Sequence, residues 1–214
     1  MVITVTSSRK GQGQTITAIM LGGMLKSLDR SKKVLIIDTN QLVDDLDLYL
    51  NASVMPLGLD DFINHFNHGK IARDTLAACT REFNGINYMS SNNQNKLNDD
   101  VLDKLLEISS ETYDYVIVDA GFAVQEYLFK HSDQVVLVTT PSITAQSMLS
   151  RMVKRLDVRG KYTVVINWFD RMADISVEEI KANFSVFEKV QYYTLPFDVK
   201  LSAEANKSRL LHYF

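Results

Sequence analysis

The chain has 214 residues, of which 46% are apolar and 23% are charged, and its formal net charge is −3. This composition is typical of a folded globular domain and excludes a disordered chain, while the slightly negative balance gives no support to a global nucleic-acid footprint. The single cysteine, Cys79, excludes an internal disulfide, and the four histidines have no metal-ligand spacing with it or among themselves.

The chain begins with a short β-branched segment and a glycine-rich loop. The segment VITVT at 2–6 predicts a strand, and SSRKGQGQTITA follows at 7–18. Apolar residues then recur at helical spacing from Ile16 to Leu28, which predicts a helix. Gly22 and Gly23 inside it cost roughly 1 kcal/mol each in helix propensity. We explain the pair by close packing of this helix on a sheet.

Four more β-branched runs follow along the chain. They are VLIID at 34–38, YVIVD at 115–119, VVLVTT at 135–140 and YTVVIN at 162–167. Continuous apolar strands separated by helix-length segments are typical of a parallel sheet that is covered on both faces. The pattern predicts an α/β fold with a mostly parallel central sheet flanked by helices. Without a Pro-, Gly- or Ser-rich linker or an internal repeat, we expect a single domain over 1–214.

The region between VLIID at 34–38 and YVIVD at 115–119 is predicted to lie at the periphery of the fold. Residues 57–82 read as helical with a turn at His68-Gly69, and a short strand is expected over 86–89. The apolar face of this region is interpreted as a core face, with an interface as the alternative. Its members are Leu57, Leu59, Phe62, Ile63 and Phe66.

Two further helices carry N-terminal capping signals. Asn98 or Asp99 is predicted to cap a helix that begins near Val101. Ser176 followed three residues later by Glu179 predicts a capping box.

The glycine-rich loop is close to a Walker A pattern but lacks its lysine. In G-x-x-x-x-G-K-[ST], glycines let backbone N–H groups surround the phosphates, the lysine reaches the β and γ oxygens, and the hydroxyl holds Mg²⁺. Gly11, Gly13 and Thr15 stand where the pattern needs them, whereas Gln14 takes the lysine position and Ser8 that of the first glycine. An amide can hydrogen-bond a phosphate but cannot neutralise its charge.

Two of the predicted strands end in aspartate, at Asp38 and Asp119. Ligands of parallel α/β sheets bind at the carboxyl ends of the strands, so we expect both carboxylates to converge on the loop. This convergence is the main sequence signal for a functional site.

Six segments in chain order resemble the MinD/ParA group of P-loop ATPases, the deviant Walker A proteins, from Met1 to about Ser208. They are VTSSRKGQGQT, VLIIDTNQLVDDLDLYL, YDYVIVDAG, VVLVTTPSITAQSM, VVINWFD and LPFDVKLSAEANKS. The resemblance implies the P-loop NTPase fold, ATP or ADP with Mg²⁺ as cofactor, and a homodimer as one assembly state.

The resemblance also implies roles for individual residues. Thr15, Asp38 and Asp119 would hold Mg²⁺, and Asn40 stands where the family usually has the aspartate that positions the attacking water, which makes Asp38, Asn40 and Asp119 the implied catalytic set. Arg9 stands at the family's signature lysine. The nucleotide-binding residues that the resemblance implies are Arg9, Lys10, Gly11, Gln12, Gly13, Gln14, Thr15, Ile16, Asn167 and Pro196, with Asn167 meeting the adenine.

The departures at Gln14 and Asn40 predict weak or absent hydrolysis. One hypothesis is therefore a degenerate nucleotide-binding scaffold for pilus, secretion, plasmid or division positioning, for which the family's TadZ/CpaE branch offers a parallel. The other is an active partition or positioning ATPase in which Arg9 or Lys10 replaces the missing lysine. A capsule-type tyrosine kinase is disfavoured, because the chain ends in RLLHYF without a tyrosine cluster.

The expected partners are proteins of a positioning or secretion machine. Nucleic acid is a weaker alternative, since the basic residues that follow VVLVTT at 135–140 are better explained as a solvated helix face. Those residues are Arg151, Lys154, Arg155 and Arg159. The end of the chain is too short for firm interfacial membrane binding. We expect a cytoplasmic protein that partners recruit to the membrane or the cell pole.

Overall fold

The computed structural model describes residues 1–40, 46–50, 57–91, 97–122, 126–155, 162–172, 175–184, 190–207 and 210. The strands are β1 (Val2–Ser7), β2 (Val34–Asp38), β3 (Arg81–Phe83), β4 (Ile86–Met89), β5 (Tyr115–Asp119), β6 (Gln134–Thr139), β7 (Tyr162–Phe169) and β8 (Gln191–Pro196). The helices are α1 (Gln14–Leu28), α2 (Leu46–Leu50), α3 (Leu59–Asn67), α4 (Arg73–Ala78), α5 (Asp99–Thr112), α6 (Glu126–His131), α7 (Ile143–Arg155), α8 (Val177–Asn183) and α9 (Val199–Asn206).

All eight strands join one sheet in the order β3-β4-β2-β5-β1-β6-β7-β8. Neighbouring strands are parallel except for the antiparallel pair β3 and β4. The predicted α/β fold, a mostly parallel central sheet flanked by helices, is confirmed. Strands β2, β5, β1 and β6 lie side by side, so their carboxyl ends meet at one edge of the sheet, and the loop that leads from β1 into α1 starts there.

Strand β1 lies in the middle of this sheet and is buried along its whole length. One face of the sheet packs against α3, α4 and α5, whose buried side chains include Phe62, Leu76 and Leu105. The other face packs against α1 through Ala18 and Ile19. Burial on both faces explains why these strands read as continuous apolar runs rather than as alternating ones.

Helix α1 approaches the sheet closely at Gly22, as its sequence predicted. A β-carbon at Gly22 would stand 2.9 Å from Cδ1 of Ile36 on β2. The missing side chain therefore lets the middle of α1 lie close to β2 and β5, whose Ile36 and Ile117 face it.

The region 57–82 departs from its predicted helical structure at its end. It forms α3 and α4, but Arg81–Phe83 is strand β3, which pairs antiparallel with β4. The reason is the Asn84-Gly85 dipeptide, whose φ angles of 51° and 77° make a two-residue hairpin turn. The predicted core face is confirmed for Leu59, Phe62 and Ile63, which are buried, and Phe66 packs against them, but it is wrong for Leu57, which is exposed.

The predicted short strand 86–89 and both capping signals are confirmed. Asn98 accepts a hydrogen bond from Val101 N, and the helix begins at Asp99. Ser176 Oγ accepts from Glu179 N at 3.1 Å, and Glu179 Oε2 accepts from Ser176 N at 2.7 Å. Within the described residues, no helix has the length and apolar composition that a membrane span requires. A single domain over 1–214 stays a prediction.

Candidate functional site

The loop between β1 and α1 depends on two glycines in the left-handed region. Gly11 has φ 79°, and Gly13, the N-cap of α1, has φ 89°. Residues with a β-carbon rarely adopt these angles, which explains the glycines. Thr17 N and Thr17 Oγ1 both donate to Gly13 O, at 2.9 and 2.8 Å, and close the first turn. A helix that begins on such a loop presents backbone N–H groups and a partial positive charge to an anion.

The base of the loop is attached to the ends of β6 and β7 through Gln12. Gln12 Oε1 accepts hydrogen bonds from Thr140 N at 3.1 Å and from Thr140 Oγ1 at 3.4 Å. Gln12 O accepts from Asn167 Nδ2 at 3.0 Å. The predicted adenine ligand Asn167 thus holds the loop itself, and a β-carbon on Gly13 would collide with its amide.

Strand β7 has a bulge next to Asn167. The register with β8 shifts between Asn167 and Phe169, and Trp168 adopts a left-handed φ of 58°. Bulges re-aim neighbouring side chains and often occur beside functional sites. Beyond it lies a cavity of about 610 Å³ whose lining includes Phe169, Arg171, Thr194, Pro196 and Phe197. The structure thus places Pro196 beside a cavity and Asn167 under the loop.

The Gln14 side chain folds back into the loop instead of extending from it. Only 5% of Gln14 is exposed, and its amide lies 3.3 Å from Ser7 Oγ. Ser7 Oγ also donates to Arg9 O at 2.8 Å. A hydroxyl has one proton, so Ser7 Oγ shares it between Arg9 O and Gln14 Oε1. Arg9 and Lys10, in contrast, are exposed.

The two strand-end aspartates are register partners on adjacent strands. Asp38 Oδ1 accepts from Asn40 N at 2.8 Å, and Asp119 Oδ1 accepts from Gly121 N at 3.0 Å. Both residues are buried. Each carboxylate therefore bonds to the amide two residues further on, which fixes its orientation at the carboxyl edge of the sheet. Asp38 and Asp119 thus lie side by side at the carboxyl edge of the sheet, and their convergence on the loop stays a prediction.

Gly121 connects this edge to β1. Its carbonyl accepts from Ser7 N at 3.1 Å and from Thr6 Oγ1 at 3.0 Å, so the segment after β5 is bonded to the strand that carries the loop. Asn40, the candidate water-positioning residue, packs against Gly121, whose φ is 62°.

The residue types at the loop fit a magnesium nucleotide. Apart from Gly11 and its chain neighbours, no atom of the described residues lies within 4 Å of the position that a β-carbon on Gly11 would occupy, so these residues leave open space there. Thr15, Asp38 and Asp119 offer the hard oxygen donors that Mg²⁺ prefers. Where the structure describes the chain, no three His, Cys, Asp or Glu side chains group together as a metal site.

Most predicted site residues meet at this edge, and several contributors were not predicted. The loop residues through Ile16 lie around the start of α1, Asp38 and Asp119 end β2 and β5, and Asn40 follows β2. Ser7 and Thr140 were missed. Both are polar residues at the end of a buried strand, and this position was the sequence signal that could have revealed them. The hydrogen-bond partner of each one depends on contacts between distant parts of the chain.

No protein-family model matches the chain. Among curated proteins, the septum site-determining protein MinD of Synechocystis is 27% identical over 176 residues. The match covers 78% of this chain but 64% of the relative, so the chain spans less than two thirds of the relative's length.

Solved structures match over nearly the whole chain. A ParA family ATPase from Chlorobium tepidum has a TM-score of 0.85 at 20% identity, covering 99% of this chain and 91% of its own. MinD in the MinC:MinD complex of Aquifex aeolicus has a TM-score of 0.78 at 21% identity, with coverage of 98% and 86%. MinD of Pyrococcus horikoshii, complexed with Mg-ADP, has a TM-score of 0.73 at 16% identity, with coverage of 97% and 85%. The chain matches the ATPases of the MinD/ParA family in sequence over about three quarters of its length and in fold over nearly all of it.

Proposed function

We propose that the chain binds ADP or ATP with Mg²⁺ at residues 8–15, hydrolyses ATP slowly or not at all, and works through protein partners as a localisation or assembly scaffold. The observation that carries this proposal is the uncharged Gln14 side chain, buried against Ser7 where a P-loop has its lysine. The match to MinD/ParA ATPases supports the choice of ligand.

Nucleotide binding relies on groups that the loop retains. The backbone N–H groups at the start of α1 and the exposed side chains of Arg9 and Lys10 provide an anion site. Thr15, Asp38 and Asp119 are the residues that would hold Mg²⁺. The ion, when bound, supplies charge neutralisation between the phosphates.

Slow hydrolysis follows from two side chains. Phosphoryl transfer is catalysed by positioning and charge stabilisation, and removing one such stabiliser costs roughly a factor of 100 to 1,000 in rate. Gln14 offers no charge. Asn40 provides an amide instead of a carboxylate, and its side chain packs against Gly121.

A second candidate is an active partition or positioning ATPase. It is favoured by the exposure of Arg9 and Lys10 on the loop. The guanidinium of Arg9 is permanently charged and presents a fork of donors that suits phosphate oxygens. Turnover, rather than binding, distinguishes this candidate from the scaffold.

We also propose protein partners rather than nucleic acid. A groove of about 410 Å³ beside the loop is lined by Ser8, Phe122, Met148 and Arg151, among others, and includes Glu126. Its apolar side chains, from Phe122, Met148 and Met152, suit a protein segment, whose acidic side chains could pair with Arg151 and Arg155. The Aquifex MinD structure contains a partner protein, MinC. Arg159, one of the basic residues considered for DNA binding, lies outside the described residues. The homodimer, the cytoplasmic location and recruitment to the membrane or pole stay predictions.

The binding part of the proposal is tested by calorimetric titration with Mg-ADP and by two matched glycine variants. Gly13→Ala puts a β-carbon at φ 89° against Asn167, whereas Gly69→Ala alters an exposed turn at φ 67° where nothing lies within 4 Å. Both variants lose roughly 1–2 kcal/mol of stability because of the left-handed backbone, and Gly13→Ala loses more because its β-carbon displaces the Asn167 amide. We expect a loss of affinity of about tenfold or more in Gly13→Ala only, because it distorts the anion site. A wild-type protein that does not bind, or equal affinities in both variants, would refute binding at this loop.

A further inference from the structure

The side chain of Gln12 points into the protein, although its neighbours Gly11 and Gly13 form the mouth of the loop. Only 1% of Gln12 is exposed. A buried amide must be hydrogen-bonded, and its oxygen accepts from both the backbone N–H and the hydroxyl of Thr140. The side chain is therefore committed to a structural contact and leaves only its backbone for a ligand.

The carbonyl of the same residue makes a second long-range contact. Gln12 O accepts from Asn167 Nδ2, so one residue attaches the loop to the ends of both β6 and β7. These contacts connect positions 128 and 155 residues apart in the chain. Glycines on both sides of Gln12 make the free loop flexible, since glycine has the largest backbone entropy to lose. The attachment at position 12 offsets that flexibility.

The contact continues into α7. Thr140 O accepts from Gln146 Nε2 at 3.3 Å, and Gln146 is buried in α7. Ser8 Oγ, at the start of the loop, donates to Ala145 O at 3.2 Å. The loop is thus connected to α7 at two points, one of which runs through Gln12.

We propose that Gln12 is a positioning residue that holds residues 8–15 in their phosphate-binding form before any nucleotide binds. The relevance of this conformation to a ligand rests on the proposed nucleotide-binding function. A loop that is ordered in advance has less entropy to lose on binding, which strengthens binding without adding a contact to the ligand.

Two variants separate the hydrogen bonds of Gln12 from its bulk. Gln12→Met keeps a similar length but removes the acceptor. Gln12→Glu keeps an acceptor for Thr140, since both side-chain contacts use Gln12 as acceptor, and serves as the conservative rescue. Gln191→Met, at an exposed position on β8, is the matched control for replacing a glutamine by methionine.

The experiment measures amide hydrogen exchange by NMR in the nucleotide-free protein and then titrates each variant with Mg-ADP. In Gln12→Met we expect exchange at the Thr140 amide to accelerate about tenfold or more, because that amide loses its acceptor and local opening is no longer opposed. We expect Mg-ADP affinity to fall by roughly the same factor. Gln12→Glu should keep slow exchange, and Gln191→Met should match the wild type.

Unchanged exchange in Gln12→Met would overturn the proposal. If Gln12→Met does not fold, the exchange rate of the Thr140 amide in the wild-type protein is the test. Exchange at the rate of an unstructured peptide would refute the hydrogen bond to Gln12 and with it the proposal. Slow exchange that depends on Gln12 in a protein that does not bind Mg-ADP would uphold the positioning role and refute the proposed function. Binding of Mg-ADP without an effect of Gln12 on exchange would uphold the proposed function and refute the positioning role.

Discussion

Asn40 packs so closely on Gly121 that a β-carbon at position 121 would stand 2.7 Å from Asn40 Cγ. The contact joins the segments that follow β2 and β5, and Gly121 is in turn bonded to β1 through Ser7 N. The two strand ends that carry Asp38 and Asp119 are therefore held together with the start of the loop.

Gly121→Ala is expected to lower the free energy of unfolding by about 2–3 kcal/mol. About 1–2 kcal/mol comes from a β-carbon at φ 62°, and the rest from displacing Asn40. In the double variant with Asn40→Ala, which removes the atoms at 2.7 and 2.8 Å, the displacement cost should largely disappear. Urea unfolding of the four proteins measures this coupling. Strictly additive effects would show that the contact is not a constraint.

A second prediction concerns the buried ion pair between α2 and β3. Asp47 Oδ2 accepts from Ser90 Oγ at 2.9 Å, and Asp47 Oδ1 lies 3.8 Å from Nη1 of Arg81. The side chains are 10% and 18% exposed, respectively. Arg81→Met should cost about 2–4 kcal/mol in urea unfolding, because it leaves the carboxylate buried without its cation.

The matched change for this pair is Asp47→Asn. Added to Arg81→Met, it should recover part of the loss, since the buried charge is then gone. A single Arg81→Met variant as stable as the wild type would show that the pair contributes nothing.

A third prediction is a pH dependence of stability at Asp114. Its carboxylate accepts from Lys33 N at 2.9 Å and from Lys32 Nζ at 3.1 Å, and these contacts, led by that with Lys33, lower the pKa of Asp114 below its ordinary value of 3.8. A lowered folded-state pKa stabilises the protein above the unfolded-state pKa, and this contribution disappears as the pH falls through the folded value.

Asp114→Asn should therefore be less stable than the wild type at neutral pH, with a difference that shrinks in acid below the ordinary pKa of 3.8. Thermal unfolding across this range measures it, and the exposed Glu82→Gln variant is the control. A difference that stays constant with pH would contradict the assignment to this carboxylate.

The buried strands were predictable because burial on both faces leaves a continuous apolar run. β2 and β5 have the predicted bounds, β1 ends one residue later than predicted, and β6 begins and ends one residue earlier than predicted. Strand β3 was missed because three residues, including the charged Glu82, are too short for a period to appear. Asn84-Gly85, a strong hairpin signal, could have revealed it.

The positions of the site residues were predictable, but their side-chain directions were not. Asp38 and Asp119 follow from the rule that parallel strands end at one edge. The inward turn of Gln12 depends on Thr140, which no local spacing indicates. Gln14 likewise folds back onto Ser7, a contact that depends on the curvature of the loop.

Phosphate release from Mg-ATP by the purified wild-type protein is the most direct test of the scaffold hypothesis. We predict turnover close to background, and higher nucleotide affinity or turnover when Gln14→Lys and Asn40→Asp are combined. Turnover comparable to that of active MinD/ParA ATPases, abolished by Gln14→Ala, would contradict the proposal that this chain is a weakly hydrolysing scaffold.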